Sequence, residues 1–379
     1  LYLLNTFAED SLFTDFTESP AIDHNGDLRL KSDWQTDKVS LFADYQLIAQ
    51  HGDSISLANS LPGSVIIHNP VPDDDNRLFD LTHVISQDDR SILSHRLDRL
   101  YIDASSTNTV VRFGRQAVSW GNGLVYTPMD FFNPFDPATV DKEYKTGDDM
   151  LYGQYLQQNG NDLQAVWVIR RNDNGDISND VHSVAAKYHG FADDKEFDLL
   201  LAEHYDDTII GIGGITDIAG AIWRGDITLT RTRSSSPAKT SNITSLVTSL
   251  SYSWHGFGHN ISAILEYFYN GFGIADGDYS PAALADNPEL VERIIRGELF
   301  TLGRHYVAVS ATIEMTPLWL LTPNIFINAS DTSCFEQLVS SYSLKQDWQL
   351  LTALSLPAGA SGTEYGGIDS GIAGRPLST

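Results

Sequence analysis

The chain has 379 residues, 42% of them hydrophobic, and 24 Lys+Arg against 50 Asp+Glu give a formal net charge of -26. That acidity excludes the basic stripes of a nucleic-acid-binding protein. The single cysteine, Cys334, excludes an internal disulfide and a Cys metal cluster, and reads as a small apolar strand residue. No run of about 18 apolar residues offers a transmembrane helix.

The N-terminal LYLLNTFAED has no basic n-region and no long apolar core, so it is no signal peptide; a mature secreted chain would look the same after cleavage. High aromatic content (16 Tyr, 17 Phe, 7 Trp) with strong acidity fits an outer-membrane barrel. It fits a soluble all-β enzyme nearly as well, so the strand pattern has to decide.

Period-2 alternation dominates the chain, in segments of roughly ten residues, the length a tilted strand needs to cross a bilayer. In 39–50, Val39, Leu41, Ala43, Tyr45, Leu47 and Ala49 oppose Ser40, Asp44, Gln46 and Gln50. Ala221, Trp223, Ile227 and Leu229 oppose Arg224, Asp226, Thr228 and Thr230. Val307, Val309, Ala311, Ile313 and Met315 oppose Ser310, Thr312 and Glu314. Strands are expected near 2–16, 27–35, 39–50, 92–104, 109–118, 148–157, 162–171, 181–190, 196–205, 208–213, 218–231, 242–254, 259–270, 304–315, 318–329, 334–344 and 347–357. Short turns (QTDK, SSTN, QNGN, ADDK, HGFGHN) alternate with long loops at about 51–90, 119–147, 172–180, 232–241 and 271–303. Outer-membrane barrels sort their connections in this way, with short periplasmic turns and long external loops.

The expected fold is therefore all-β: one transmembrane antiparallel β-barrel domain over 1–379, of about 18 strands with 16 as the alternative. Seventeen segments leave an inward closing strand to be found. The Gly-rich tail 358–379 supplies it poorly, or the chain continues past Thr379, because an open edge facing lipid is prohibitive.

Within this rhythm Val110–Pro137 is the anomaly. It starts as a strand, with Val111 and Phe113 opposite Arg112, Gly114 and Gln116, then turns into WGNGLVYTPMDFFNPFDP. That text is too apolar for a solvated loop, and too rich in Gly and Pro for a helix or a central strand. The segment 119–147 is expected to fold into the lumen as a constriction.

The run from Leu97 to about Lys145 resembles a group of Gram-negative outer-membrane barrels that includes a large family of unknown function and, more distantly, the alginate-export porins. The likeness rests on a hairpin ending G-R-Q-x-x-x-W-G and an N-P-x-D-like loop: Gly114, Arg115, Gln116, Trp120, Gly121, Asn133, Pro134 and Asp136. A Gly211–Gly214 hairpin leading into Arg224-Gly225-Asp226 is similar as well. The resemblance covers about an eighth of the chain. It implies a non-catalytic substrate channel or export conduit and supplies no solute.

Charges on the polar phase should line the lumen: Asp44, Arg112, Arg170, Lys187, Arg224, Asp226, Glu266 and Glu314. They read either as a charge-selective constriction or as pairs across a filled barrel. Arg115 is read as out of phase with Val111 and Phe113, as a bulge or a strand end near the rim would explain. It is expected to anchor the inserted loop through backbone carbonyls, Asp130 or Asp136. Tyr126, Phe131, Phe132 and Phe135 form either a greasy slide or a small core holding the loop to the wall. Trp120, Trp167, Trp223, Trp254, Trp319 and Trp348 suggest interfacial girdles. The acidic clusters Asp73–Asp75 and Asp173–Asp176 read as solvated turns. There is no G-x-S-x-G elbow, and His182, His189 and His204 lack metal-ligand spacing, so no catalysis, metal or cofactor is expected.

The expected role is a porin-like channel in a Gram-negative outer membrane, passing a small or elongated solute, with lipid and lipopolysaccharide around it and no nucleic acid. The alternatives are an export conduit working with a periplasmic or inner-membrane partner, and a soluble glycan-binding or hydrolytic all-β protein.

Overall fold

A computed structural model describes residues 2–5, 21–60, 73–233 and 240–367. Eighteen strands form one sheet. The first nine are β1 (Tyr2–Asn5), β2 (Ala21–Gln35), β3 (Val39–Gly52), β4 (Thr82–Gln87), β5 (Ser91–Ser105), β6 (Thr109–Gln116), β7 (Asp148–Leu156), β8 (Asp162–Val168) and β9 (Ser183–Ala192). The rest are β10 (Lys195–His204), β11 (Asp207–Ile218), β12 (Ala221–Arg233), β13 (Thr240–Gly256), β14 (His259–Tyr269), β15 (His305–Thr316), β16 (Trp319–Asn328), β17 (Ser333–Lys345) and β18 (Trp348–Ala358). The pairings are antiparallel and follow chain order, as in β9–β10–β11–β12.

The exception is β4. β5 pairs with β3 along its length, and its other flank is shared: β6 takes Leu100–Ser105 while β4 takes Ile92–Arg96. β4 thus stands where β6 would have continued.

Each of the seventeen expected segments carries a strand; the first is described only at Tyr2–Asn5, and 6–16 lies outside the described residues. β4 is the strand that alternation missed, a short piece inside a long loop. Gly211–Gly214 is not a hairpin but the middle of β11. The turn comes later, at Ala219 and Gly220, whose φ of 54° and 84° suit a tight two-residue connection. Residues 359–367 form turns rather than a closing strand, and 368–379 lie outside the described residues.

The sheet curls around its own chain. The single segment 117–147 hydrogen-bonds β8 through Trp120 to Gln164, β12 through Asn122 to Asp226, β14 through Tyr126 to Glu266, and β17 through Gln337 to the Ala138 carbonyl. The Arg29 guanidinium of β2 sits 3.7 Å above the Tyr144 ring. One segment reaches strands this far apart only if they surround it.

Alternation then sorts the wall. Leu199, Leu201, Ile212, Ile227 and Leu265 face outward and stay exposed, while Leu200, Ala202, Asp226, Thr228 and Glu266 between or beside them point in and are buried. An outward belt of Leu, Ile and Val needs lipid, since each such side chain in water forgoes about 1.5–3 kcal/mol. Trp34, Phe191, Tyr252, Trp254, Tyr342 and Trp348 lie at or next to short-turn ends of their strands and are exposed, the arrangement of an interfacial girdle. Trp120 does not belong to the girdle; it is buried with the lumen loop.

The long loops carry the few helices: α1 (Asp53–Ser60), α2 (Pro281–Ala285) and α3 (Pro288–Ile295). The last two build a core of their own from Ile274, Tyr279, Leu284, Leu290 and Ile294. This makes 270–304 a compact lid rather than a plain loop.

Candidate functional site

The chain leaves the wall at the end of β6 and enters the lumen. Two wall carboxylates receive it. Asp226 of β12 accepts the backbone N–H groups of Asn122 at 2.6 Å and Gly123 at 3.3 Å, and the Asn122 amide at 2.7 Å. Glu266 of β14 accepts those of Leu124, Val125 and Tyr126 at 2.7, 3.0 and 2.7 Å. Five consecutive N–H groups with no strand partner are thus satisfied inside a barrel, where leaving them bare would be costly. Asp226 and Glu266 are fully buried beneath the loop.

The W-G-N-G text makes this approach feasible. Gly121 takes φ 98°, a conformation that favours glycine. The wall yields too: a Cβ at Gly213 would fall 2.2 Å from Asp226 Oδ1 and 2.5 Å from Asn122 Nδ2. Gly211 likewise leaves space beneath Met129. Gly211 and Gly213 of β11 are therefore spaces left for the loop.

Two apolar cores fix the loop on either side of this cradle. Trp120, Met129, Phe131 and Phe132 pack on Met150, Val166, Val168, Leu200 and Ile209. Tyr126 stacks on Phe268 at 4.8 Å and tilts against Tyr306, beside Val247, Phe326 and Phe335. The expected aromatics therefore hold the loop to opposite walls. Phe135 is half-buried and lines a cavity above it.

Lys145, which the sequence reading did not single out, closes the loop on itself. Its Nζ donates to Asp130 at 2.6 and 2.7 Å and to the Val118 carbonyl at 2.6 Å, and Arg99 donates to the Lys145 carbonyl. Burial pushes the Asp130 carboxyl up to about 6 in spite of this ion pair, and pushes Lys145 down. Asp136 accepts from the Ala138 N–H and shapes a local turn.

Arg115 is placed differently from expectation. It shares the phase of Val111 and Phe113, which face outward, yet it is only 1% exposed. Its guanidinium bonds Asp74 at 2.9 Å, Asp149 at 2.9 Å and the Phe79 carbonyl at 2.6 Å. It anchors the 73–81 segment over the gap where β6 leaves the wall, and not the inserted loop; Asp130 and Asp136 are not its partners. Burial alone would raise Asp74, but the Arg115 bonds prevail and hold it below the usual carboxylate range. Asp74 is therefore no solvated turn residue.

The remaining expected charges lie on the inner phase; some are ion-paired, others bond neutral side chains, and Asp44 stands across from Lys31 and Arg99 in the strand register with no side-chain hydrogen bond or ion pair among the described residues. Arg112 bonds Asp103, and Arg170 bonds Asp148 at 3.0 Å and Ser183 at 2.7 Å. Arg224 donates to Ser251, and Glu314 accepts from Asn260 at the short-turn end. Asp198, also unanticipated, collects Asn122, His189 and Lys187.

Over the long-loop end the lid is pinned to the β10–β11 corner. Arg293 bonds Asp207, Glu298 bonds His204 Nε2 at 2.8 Å, and Arg296 stacks on Tyr205 at 3.9 Å. His204 Nδ1 meets Ser183 Oγ at 2.8 Å, so Ser183, His204 and Glu298 form a hydrogen-bonded chain like a hydrolase relay. Ser183 is 1% exposed and already accepts from Arg170, so it is not itself an accessible nucleophile.

Neither a family model nor a curated protein matches the sequence. Among solved structures, OccAB3 of Acinetobacter baumannii shares 10% identity, covers 92% of this chain and 90% of its own, and has a TM-score of 0.50. A BenF-like porin from Pseudomonas fluorescens Pf-5 shares 12%, with 94% and 90% covered and a TM-score of 0.49. The outer membrane protein opdK from Pseudomonas aeruginosa shares 11%, with 94% and 91% covered and a TM-score of 0.47. The fold, a single antiparallel β-barrel, is similar to that of OccAB3. At such identities the likeness speaks for the barrel architecture and for nothing finer, and no solute is carried across with it.

Proposed function

We propose that the protein is an outer-membrane channel of a Gram-negative bacterium, constricted by 117–147 and covered by the 270–304 lid. Its long loops face the cell exterior. The observation that carries this reading is the cradle of Asp226 and Glu266. Both carboxylates are spent on the backbone of one inserted segment, so the barrel invests buried charge in narrowing its own lumen. The polar wall below the loop, with Arg112, Lys187, His189, Asp198, Arg224 and Glu314, would then meet the passing solute. Arg112 is paired with Asp103, Lys187 with Asp198, and Arg224 and Glu314 bond only neutral side chains; this mixture of both signs favours a general polar path over a single-sign filter.

A second reading has its own support. The loop touches opposite walls through two separate apolar cores. A conduit opened only by a periplasmic or inner-membrane partner would need such a plug at rest.

Planar-bilayer recording of the wild type against a variant lacking 121–137 separates the two. A constricted channel conducts in both forms, several-fold more in the deletion. A resting plug conducts only in the deletion. Silence in both forms would end both readings.

A further inference from the structure

A cavity of about 80 Å³ lies in the upper lumen between the inserted loop, the lid and the wall. Its apolar lining is rich in phenylalanine, with Phe131 and Phe135 from the loop, Phe268 from β14, and Phe272 and Phe300 from the lid, beside loop prolines and Ile209. Four acidic or basic side chains reach it, and each is already engaged. Asp130 is held by Lys145, Arg293 by Asp207, and His204 and Glu298 by each other.

What is left for a guest is different in kind. Thr228 and Thr230 project inward from β12, and their hydroxyls make no side-chain hydrogen bond among the described residues. An ion entering this space would lose its hydration and find no unpaired counter-charge. An uncharged molecule would find apolar faces for its body and two hydroxyls for one polar group, the usual composition of a ligand pocket.

We infer that this cavity is a binding station for a small uncharged solute that carries a hydroxyl or similar group on an apolar body. Thr228 and Thr230 hold the polar end and the phenylalanine rings hold the rest. Its place on a transport route rests on the channel reading above; binding itself does not. A cavity of about 150 Å³ accepts benzene. With the lid down, this smaller space suits a guest of a few heavy atoms, and a longer solute enters only as the lid lifts.

The test uses the full chain purified in detergent, with fluorine NMR of trifluoroethanol and of trifluoroacetate, a neutral and an anionic probe of nearly equal size. Thr230→Leu and Phe300→Trp fill the cavity from the wall and from the lid, and folding of each is checked by heat-modifiable gel mobility. Saturable broadening of the alcohol, at least tenfold weaker for the anion and lost in either folded variant, supports the site. The site is overturned if the anion binds as tightly, if the alcohol does not saturate, or if both folded variants bind as the wild type does. No ion flow is needed. A barrel that binds but never conducts sinks the channel reading alone, and one that conducts without saturable alcohol binding sinks the site alone.

Discussion

Replacing Glu266 by Gln is expected to release the inserted loop. The wild-type carboxylate receives three backbone N–H groups at 2.7, 3.0 and 2.7 Å inside the barrel. Bonds to a charged acceptor are worth roughly 1.5–3 kcal/mol each, against roughly 0.5–1.5 kcal/mol for neutral pairs. An amide also turns a donor toward groups that are themselves donors. Taking about 1 kcal/mol lost per bond, the loop-in state weakens by about 3 kcal/mol, close to a hundredfold in population. The assay is single-channel recording together with limited proteolysis within 121–137. Open probability and cleavage rate should both rise, by up to about a hundredfold where the wild type is mostly closed. Glu314→Gln is the control, because that carboxylate lies on the same inner phase at the other end and accepts from the Asn260 side chain. Unchanged gating and cleavage in Glu266→Gln, or equal effects in Glu314→Gln, would refute the cradle.

Gly213→Ala should mimic that release from the wall side, since its Cβ would collide with Asp226 and Asn122; loop cleavage at wild-type speed would contradict the fit. Arg115→Met strands Asp149 as a buried charge without a cation and leaves Asp74 with Arg77 alone, so urea unfolding should report a loss of about 3–5 kcal/mol with conductance per open channel unchanged. Asp130 supplies the pH dependence. Its folded value of about 6 lies above the ordinary 3.8, so its contribution is fully present below about pH 4 and lost as pH rises through 6. That amounts to about 3 kcal/mol at about 1.4 kcal/mol per unit. Comparing urea midpoints of the wild type and Asp130→Asn from pH 4 to 7 isolates it, and identical slopes would disprove it.

The strand rhythm was legible because a barrel wall between lipid and lumen demands strict alternation, and side chains two apart share a face whatever else the chain does. The inserted loop was legible for a related reason: aromatic text rich in Gly and Pro has to be buried yet cannot join a sheet. Arg115 shows where this kind of reading ends. It reads as out of phase with Val111 and Phe113 and as the anchor of the inserted loop, whereas it shares their phase, and its partner Asp74 lies 41 residues away in a loop that no local pattern links to it. β4 escaped for the same reason, being a strand only because β6 vacates its place.

Asp226 and Glu266 mark the division between the two levels. The sequence by itself placed both on the inner face, because period-2 geometry is local. It could not tell a solute filter from a structural clamp, because that depends on what crosses the lumen to meet them. Only the folded barrel brings the Asn122–Tyr126 backbone, more than a hundred residues earlier, against these carboxylates. The same holds for Gly213, which reads as part of a Gly211–Gly214 hairpin until the folded chain shows it in mid-strand with the loop in its space. Which residues face inward follows from the chain alone; which inward charges remain free for a solute was decided by tertiary contact, since pairing consumes a charge and pairing is long-range.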